Sequence, residues 1–452
     1  MKLGSAIWSG IFAPLPRWLI PVAVVAAAAV VPSHPLHAEA ALVIEADTGR
    51  VIHAENAAYP WYPASVTKIM TAYVTLKAVK ERRISLDTLF TVSPTAAAQQ
   101  PSKMGFKTGT QVTVDNALKM MMVKSANDMA VVLAEGVSGS VEKFADEMNR
   151  TARRLGMVQT TYVNPNGLPA EGQVTSARDL AILAQAVIRD LPEYEYFMSV
   201  PAIRFGKRVT RNFNSLIGRY PGADGMKTGF ICASGFNLVA SATRDGKRLI
   251  AVVLGSPSSA VRAVKAAQLL ERGFSGNGLS WLVPSMGTVD QMTPVDAQPP
   301  NLRDEMCGPN RKRPAADNMD EDEQAGTNGV AGLSLFAGLR PQGAKPSELL
   351  GAPGAVEPVV VYIGPRRDAS QIALTGDGDK PKGVRKKQAA AKPHAAKPKE
   401  TVTAARSTTE SKPGATTKPA PKSAKKPAAK PAAETAIKKK KNAAARSDGA
   451  KE

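Results

Sequence analysis

The chain has 452 residues, of which 43% are hydrophobic but only 5% aromatic, and a formal net charge of +20. That length can hold one or two packed domains, while the shortage of aromatics and the excess of cations exclude a chain that is globular throughout. Two cysteines, Cys232 and Cys307, are too few for a disulfide framework and lack metal-site spacing, so disulfide-rich and zinc-ribbon classes are excluded as well.

Lys2 and Arg17 precede the apolar stretch "WLIPVAVVAAAAVV", which gives way to "PSHPLHAEA". The pattern is that of a secretory signal peptide over residues 1–38, cleaved after Ala38 or Ala40, because the apolar core is short for a ~30 Å hydrocarbon layer and ends in small residues. A retained N-terminal anchor is the alternative. Export predicts a periplasmic protein in an oxidising compartment without a supply of nucleotide cofactors. A Cys232–Cys307 disulfide is allowed there but cannot be read from spacing.

"ALVIEADTGRVIHAE" alternates apolar and polar residues about the turn Asp47-Thr48-Gly49-Arg50 and predicts a β-hairpin. The pattern then changes to helical period in "TKIMTAYVTLKAV", "VDNALKMMMV", "NDMAVVLAEGV", "VEKFADEMNRTARRLG" and "ARDLAILAQAVIRDL", the last opened by Ser176 three residues before Asp179 as a cap. "FNLVASAT" and "RLIAVVLG" flank Arg244-Asp245-Gly246-Lys247 and predict a second hairpin, followed by the helix "AVRAVKAAQLLERGF". Strands at both ends with helices between them predict an α+β domain whose first and last strands share an antiparallel sheet, over residues 39–275.

Residues 276–376 are rich in Pro, Gly and Asp, with apolar islands such as "AGLSLFAGL" and "EPVVVYIG" separated by breakers. They read as a mostly extended linker, with a small, partly ordered module as the other possibility. Residues 377–452 are runs of Lys, Ala and Pro with almost no large apolar side chain. Such a segment cannot offset the roughly 1–2 kcal/mol per residue of backbone ordering and is predicted to be a disordered basic tail. Outside the cytoplasm its expected partners are anionic membrane or wall surfaces rather than nucleic acid, unless it serves only as a soluble tether.

Of four histidines only His53 falls in the predicted folded unit, which argues against a Ser-His-Asp hydrolase; no HExxH or Cys-Cys-His cluster offers a metal site. Serine chemistry with a lysine base remains. Ser65 and Lys68, in "PASVTKIM", stand three apart where a helix begins, so they face the same side. A lysine in a site of low dielectric near other cations loses its proton more readily and can then accept that of serine. The spacing alone is weak, since it recurs at Ser140 to Lys143 and Ser423 to Lys426. Two further elements follow in order: Ser125-Ala126-Asn127, breaking a helical run, and Lys227-Thr228-Gly229, where the glycine is expected to let a substrate backbone approach an edge strand.

The order Ser-x-x-Lys, Ser-x-Asn, Lys-Thr-Gly resembles that of serine penicillin-recognising enzymes. From about Ala40 to Phe274, with "SANDMAVVLAE", "NPNGLPAEGQVTSARDLA" and "DGMKTGF", the chain looks like a low-molecular-mass penicillin-binding protein, a serine-type D-alanyl-D-alanine carboxypeptidase. The resemblance implies an antiparallel sheet with helices on both sides and an all-helical subdomain, with no cofactor or metal. It implies that Ser65 attacks the carbonyl between the two terminal D-alanines of a peptidoglycan stem peptide, with Lys68 as general base. Ser125 would relay a proton to the leaving amine and Asn127 would hold the substrate backbone. Lys227 and Thr228 would bind the terminal carboxylate, and the N–H groups of Ser65 and Phe230 would form the oxyanion hole. β-Lactams would be covalent inhibitors.

Two features depart from the family. Phe230 stands where some relatives carry His, and neither a following β-rich domain nor an amphipathic anchoring helix is recognisable. A class A β-lactamase would need a Glu four residues before an Asn between Asn127 and Lys227, and none is present. D,D-Endopeptidase action and a non-catalytic wall-binding role are the competing readings.

Overall fold

The computed structural model describes residues 39–275, 286–309, 349–368 and 371. The predicted signal segment, the "AGLSLFAGL" island and the basic tail lie outside the described residues.

In chain order the strands β1 (Ala40–Glu45), β2 (Val51–Glu55) and β3 (Pro60–Trp61) lead into α1 (Lys68–Lys80). Then come β4 (Leu89–Thr91), α2 (Pro94–Ala97), β5 (Gln111–Thr113), α3 (Val114–Lys124), α4 (Asn127–Ser138) and α5 (Val141–Leu155). β6 (Thr175–Ser176), α6 (Ala177–Asp190), α7 (Tyr196–Ser199), β7 (Ala202–Phe205) and β8 (Arg208–Arg211) follow. The last run is β9 (Ala223–Ile231), β10 (Gly235–Arg244), β11 (Lys247–Ser256) and α8 (Ser259–Phe274), and then α9 (Arg303–Cys307) and β12 (Val359–Val360).

The main sheet is antiparallel with strand order β2-β1-β11-β10-β9, so the first hairpin and the last strands do share one sheet. Alternation along β1 sorts its side chains to opposite faces. Ala41 and Val43 join a core with Leu269 and Leu270 of α8, while Leu42 and Ile44 join the larger core with α1, α3, α4 and α6. Asp245 and Gly246 take φ of +49° and +74°, the left-handed pair a tight two-residue hairpin requires, and this sets Arg244 opposite Lys247.

α1 is buried almost all round, from Lys68 through Leu76, as a helix at the centre of a helical layer must be. α3 stops because Ser125 adopts φ +60°, and α4 begins two residues later at Asn127. Ser176 caps α6 by accepting from the Asp179 N–H at 3.2 Å. At the start of β1, Glu39 accepts from the buried Lys265 ammonium of α8 at 2.7 Å, and Asn56 Nδ2 donates to the Glu39 carbonyl at 3.0 Å.

The structure differs from the sequence expectation in three places. The edge strand expected at Gly229 runs over the whole of "ADGMKTGFI", nine residues long, as β9. The two-stranded sheets β3–β6 and β4–β5 and the hairpin β7–β8 are too short to leave an alternation signal. Residues 276–376 are not an extended linker throughout: Val289, Leu302 and Met306 are buried against the domain, Val51 N–H donates to the Gly287 carbonyl, and Cys232 and Cys307 form a disulfide. "EPVVVYIG" supplies β12, which pairs parallel to β7, and buries Val361. The folded unit therefore extends well past Phe274.

Candidate active site

Three parts of the fold meet at Ser65. The serine lies in a 3₁₀ turn (Ala64–Thr67) just ahead of α1, and Lys68 is the first residue of that helix. Ser65 is partly exposed, whereas Lys68 is fully buried. Lys68 Nζ donates to Ser65 Oγ at 2.9 Å, to Asn127 Oδ1 at 2.7 Å and to the Asn166 carbonyl at 2.6 Å. These acceptors are neutral oxygens, so they orient the amine without adding a counter-charge. Ala64 has φ +50°, a left-handed conformation that costs a non-glycine residue about 1–2 kcal/mol and here stands directly before the nucleophile candidate.

Ser125 and Asn127 occupy the α3–α4 junction. Both are buried, and the Asn127 amide is held at both ends: its oxygen accepts from Lys68 and its Nδ2 donates to the Gln100 carbonyl at 2.9 Å. Asp128 fixes the neighbouring loop by accepting from the Met104 and Gly105 N–H groups at 3.0 and 2.8 Å. Lys124, next to Ser125, is half-buried; burial, with Arg208 nearby, holds its ammonium below the usual lysine range.

β9 forms the third side. Lys227 and Thr228 are buried, Lys227 Nζ donates to the Thr228 carbonyl at 2.9 Å, and Thr228 Oγ1 is buried without a hydrogen-bond partner. A Cβ at Gly229 would lie 2.8 Å from the Ser65 nitrogen and 3.0 Å from that of Val66, so only glycine lets the strand rest on the Ser65 turn. The sequence expectation assigned this glycine to close approach of a substrate; its tightest neighbour is the protein's own backbone. Phe230 stacks on Phe236 with ring centroids 4.3 Å apart, leaving its main chain at the open edge of the sheet.

The structure thus links Ser65, Lys68 and Asn127 by hydrogen bonds and seats Gly229 on the serine turn, with Ser125 two residues before Asn127 and Lys227, Thr228 and Phe230 beside Gly229 on β9. It also adds a partner that motif reading missed, the loop Asn164-Pro165-Asn166-Gly167. The Asn166 carbonyl accepts from Lys68, the Pro165 carbonyl accepts from Thr71 Oγ1 at 2.5 Å, and a Cβ at Gly167 (φ +82°) would sit 1.8 Å from the Ala64 carbonyl oxygen. "NPNG" signals a tight turn, but nothing in those letters says that a main-chain oxygen meets the buried Lys68. The other Ser-x-x-Lys match in the domain has no such surroundings: Ser140 Oγ accepts from the Lys143 N–H and caps α5, with the Lys143 side chain exposed.

Among the described residues no group of three or more His, Cys, Asp or Glu is placed to hold a metal ion, and no helix is long and apolar enough to cross a membrane. An antiparallel sheet flanked by helices, with serine and lysine at the sheet edge, is the architecture of penicillin-recognising serine enzymes. A family model described as D-alanyl-D-alanine carboxypeptidase, peptidase family S11, matches residues 26–258, and the chain belongs to that family. It is 39% identical over 244 residues to the D-alanyl-D-alanine carboxypeptidase DacC of Escherichia coli K12, covering 52% of this chain and 61% of that one. It is 37% identical over 243 residues to DacA of Haemophilus influenzae, covering 53% and 62%. The chain thus spans less than two thirds of the length of the curated relatives it matches. Among solved structures it is similar to DacD from Francisella tularensis (33% identity, TM-score 0.51, 52% of this chain and 70% of that one). Penicillin binding protein 5 from H. influenzae is similar too (37% identity, TM-score 0.51, 53% and 71%).

Proposed function

We propose that the protein is a D-alanyl-D-alanine carboxypeptidase that trims the terminal D-Ala from peptidoglycan pentapeptide stems. The observation that carries this reading is the buried Lys68 Nζ 2.9 Å from Ser65 Oγ, beside an edge strand whose glycine rests on the Ser65 turn. Lys68 Nζ, as general base, takes the Ser65 hydroxyl proton as Oγ bonds the carbonyl carbon between the two D-alanines. The Ser65 and Phe230 N–H groups receive the developing oxyanion. The C–N bond then breaks, the leaving amine takes a proton through Ser125, and the terminal D-Ala departs from an acyl-Ser65 ester that water hydrolyses. Asn127 holds the substrate backbone, and the buried cation of Lys227 with Thr228 Oγ1 suits the terminal carboxylate. β-Lactams acylate the same serine and block it.

On this reading the protein acts outside the cytoplasm after export through residues 1–38, residues 39–275 carry the chemistry, and the basic stretch 377–452 meets anionic membrane or wall surfaces. Incubating the purified protein with a peptidoglycan pentapeptide and measuring product masses tests the activity. The expected outcome is loss of one D-Ala, suppressed by prior exposure to penicillin. Separation of cross-linked dimers without D-Ala release from pentapeptides would overturn it in favour of an endopeptidase.

A further inference from the structure

A cleft of about 890 Å³ opens beside Ser65, lined by Ala64 and Gly167 next to the serine, by Ile231 at the end of β9 and by Ala233 just beyond it. Its outer wall is Pro294–Arg303, in a segment that begins well after residue 258, where the family match ends. This strap is anchored near both ends. Val295 N–H donates to the Ala58 carbonyl at 3.0 Å, and Gln159 Nε2 donates to the Ala58 and Val295 carbonyls at 2.7 and 2.9 Å. Leu302 N–H donates to the Ala233 carbonyl at 3.0 Å. Arg178 donates to the Asp290 and Met292 carbonyls, and the Cys232–Cys307 disulfide ties the strap to the residue that follows β9.

The direction in which a peptide enters follows from β9, given the carboxypeptidase reading on which this inference rests. A terminal carboxylate at Lys227 and Thr228 puts the scissile carbonyl beside Gly229 and Ser65. The preceding substrate residues then run along Phe230 and Ile231, antiparallel to the strand, at roughly 3.3 Å per residue. Within two or three residues they reach Ala233 and the cleft. A volume near the upper end of the ~300–1,000 Å³ range of ligand pockets accommodates more than one of them.

We propose that the strap converts this cleft into an extended subsite for the stem residues upstream of the D-Ala pair, so that the protein selects long stem peptides over short acyl-dipeptides. The subsite is peptide-binding, with the exposed carboxylates of Glu171 and Asp296 on its two walls suited to a free amino group on an upstream residue.

Two substitutions fill the cleft from opposite walls without touching Ser65, Lys68 or β9: Ala297→Trp on the strap and Ala170→Trp on the facing loop. The substrates are N-acetyl-D-Ala-D-Ala and a pentapeptide ending in D-Ala-D-Ala, with fluorescent penicillin labelling as the check that each variant keeps an intact nucleophile site. For both variants KM for the pentapeptide should rise about tenfold or more, while kcat/KM for the acetyl dipeptide and the labelling rate stay within about twofold, corresponding to a loss of ~1.4 kcal/mol in binding of the long substrate alone. Unchanged pentapeptide kinetics in both variants would overturn the subsite and leave the carboxypeptidase reading intact, as would an equal loss on both substrates with normal labelling. Failure of the unmodified protein to release D-Ala from either substrate would overturn both readings.

Discussion

Ser65 to Lys68 and Ser140 to Lys143 share one spacing and both open helices, yet they do opposite things. Ser140 turns its hydroxyl back on its own helix and accepts from the Lys143 N–H, satisfying one of the orphan donors of α5, while the lysine side chain goes to solvent. Ser65 leaves that backbone role unfilled and instead accepts from the side chain of a lysine buried under α4 and the Asn166 loop. The spacing guarantees only that two side chains share a face. Burial of the amine, and neutral acceptors that position it, decide whether the face can do chemistry.

The largest effect should come from Ser65→Ala. We expect D-Ala release to fall at least ~10³-fold and covalent penicillin labelling to vanish, with a thermal midpoint close to that of the parent. An alanine variant that still labels would place the nucleophile elsewhere. Next comes Gly229→Ala, whose Cβ would press on backbone atoms of the nucleophile turn that cannot move aside. A displacement of even 1 Å should lower kcat/KM on the order of 10²-fold; near-parental kinetics would show that the strand does not need its close seat on Ser65. Ser140→Ala completes the contrast. Loss of the cap should cost about 1 kcal/mol and lower the thermal midpoint by about 2–4 °C, with D-Ala release unaffected. Any sizeable loss of activity there would undermine the distinction between the two pairs.

The smallest effect is a pH dependence of stability. His53, on β2, has a buried Nε2 without a hydrogen-bond partner, and burial, aided by Arg272, holds its imidazole below the usual value of 6.5. Below pH 6.5 the unfolded chain therefore binds this proton while the native state still resists it, so stability declines as pH falls through that window. His53→Leu should shrink the drop in thermal midpoint between pH 7 and pH 5; an unchanged drop would assign it to other groups.

Much of the catalytic half could be read in the letters because its information lies in side chains. The ordered Ser-x-x-Lys, Ser-x-Asn and Lys-Thr-Gly elements, the turn Asp245-Gly246 and the helical periods each announce themselves locally. What stayed hidden has a physical cause in each case. The Asn166 and Gln100 carbonyls belong to every residue type, so no motif marks them. β9 carries Asp224, Lys227 and Thr228 among its small and apolar residues, which masks strand alternation. The strap looks like a linker because Pro294, Pro299 and Pro300 break any periodic pattern; its hold on the domain comes from main-chain hydrogen bonds, a few buried side chains and one covalent tie. A disulfide closing a loop of this size contributes about 4 kcal/mol by limiting the unfolded chain, a gain that no local pattern displays.

The Glu39–Lys265 ion pair also bears on the proposed signal cleavage. If residues 1–38 are removed as the proposed signal, a cut after Ala38 leaves Glu39 in place to meet the buried ammonium. A cut after Ala40 would remove that carboxylate together with Ala40, which pairs with Leu254 at the head of β1, leaving Glu55 at 4.0 Å as the nearer remaining acid. Breaking such a pair on one side costs about 3–5 kcal/mol. On the proposed export reading, the mature polypeptide is expected to begin at Glu39. N-terminal mass analysis of material recovered from the periplasm will decide between the two, and a start at Ala41 would mean that the processing enzyme trims into the central sheet.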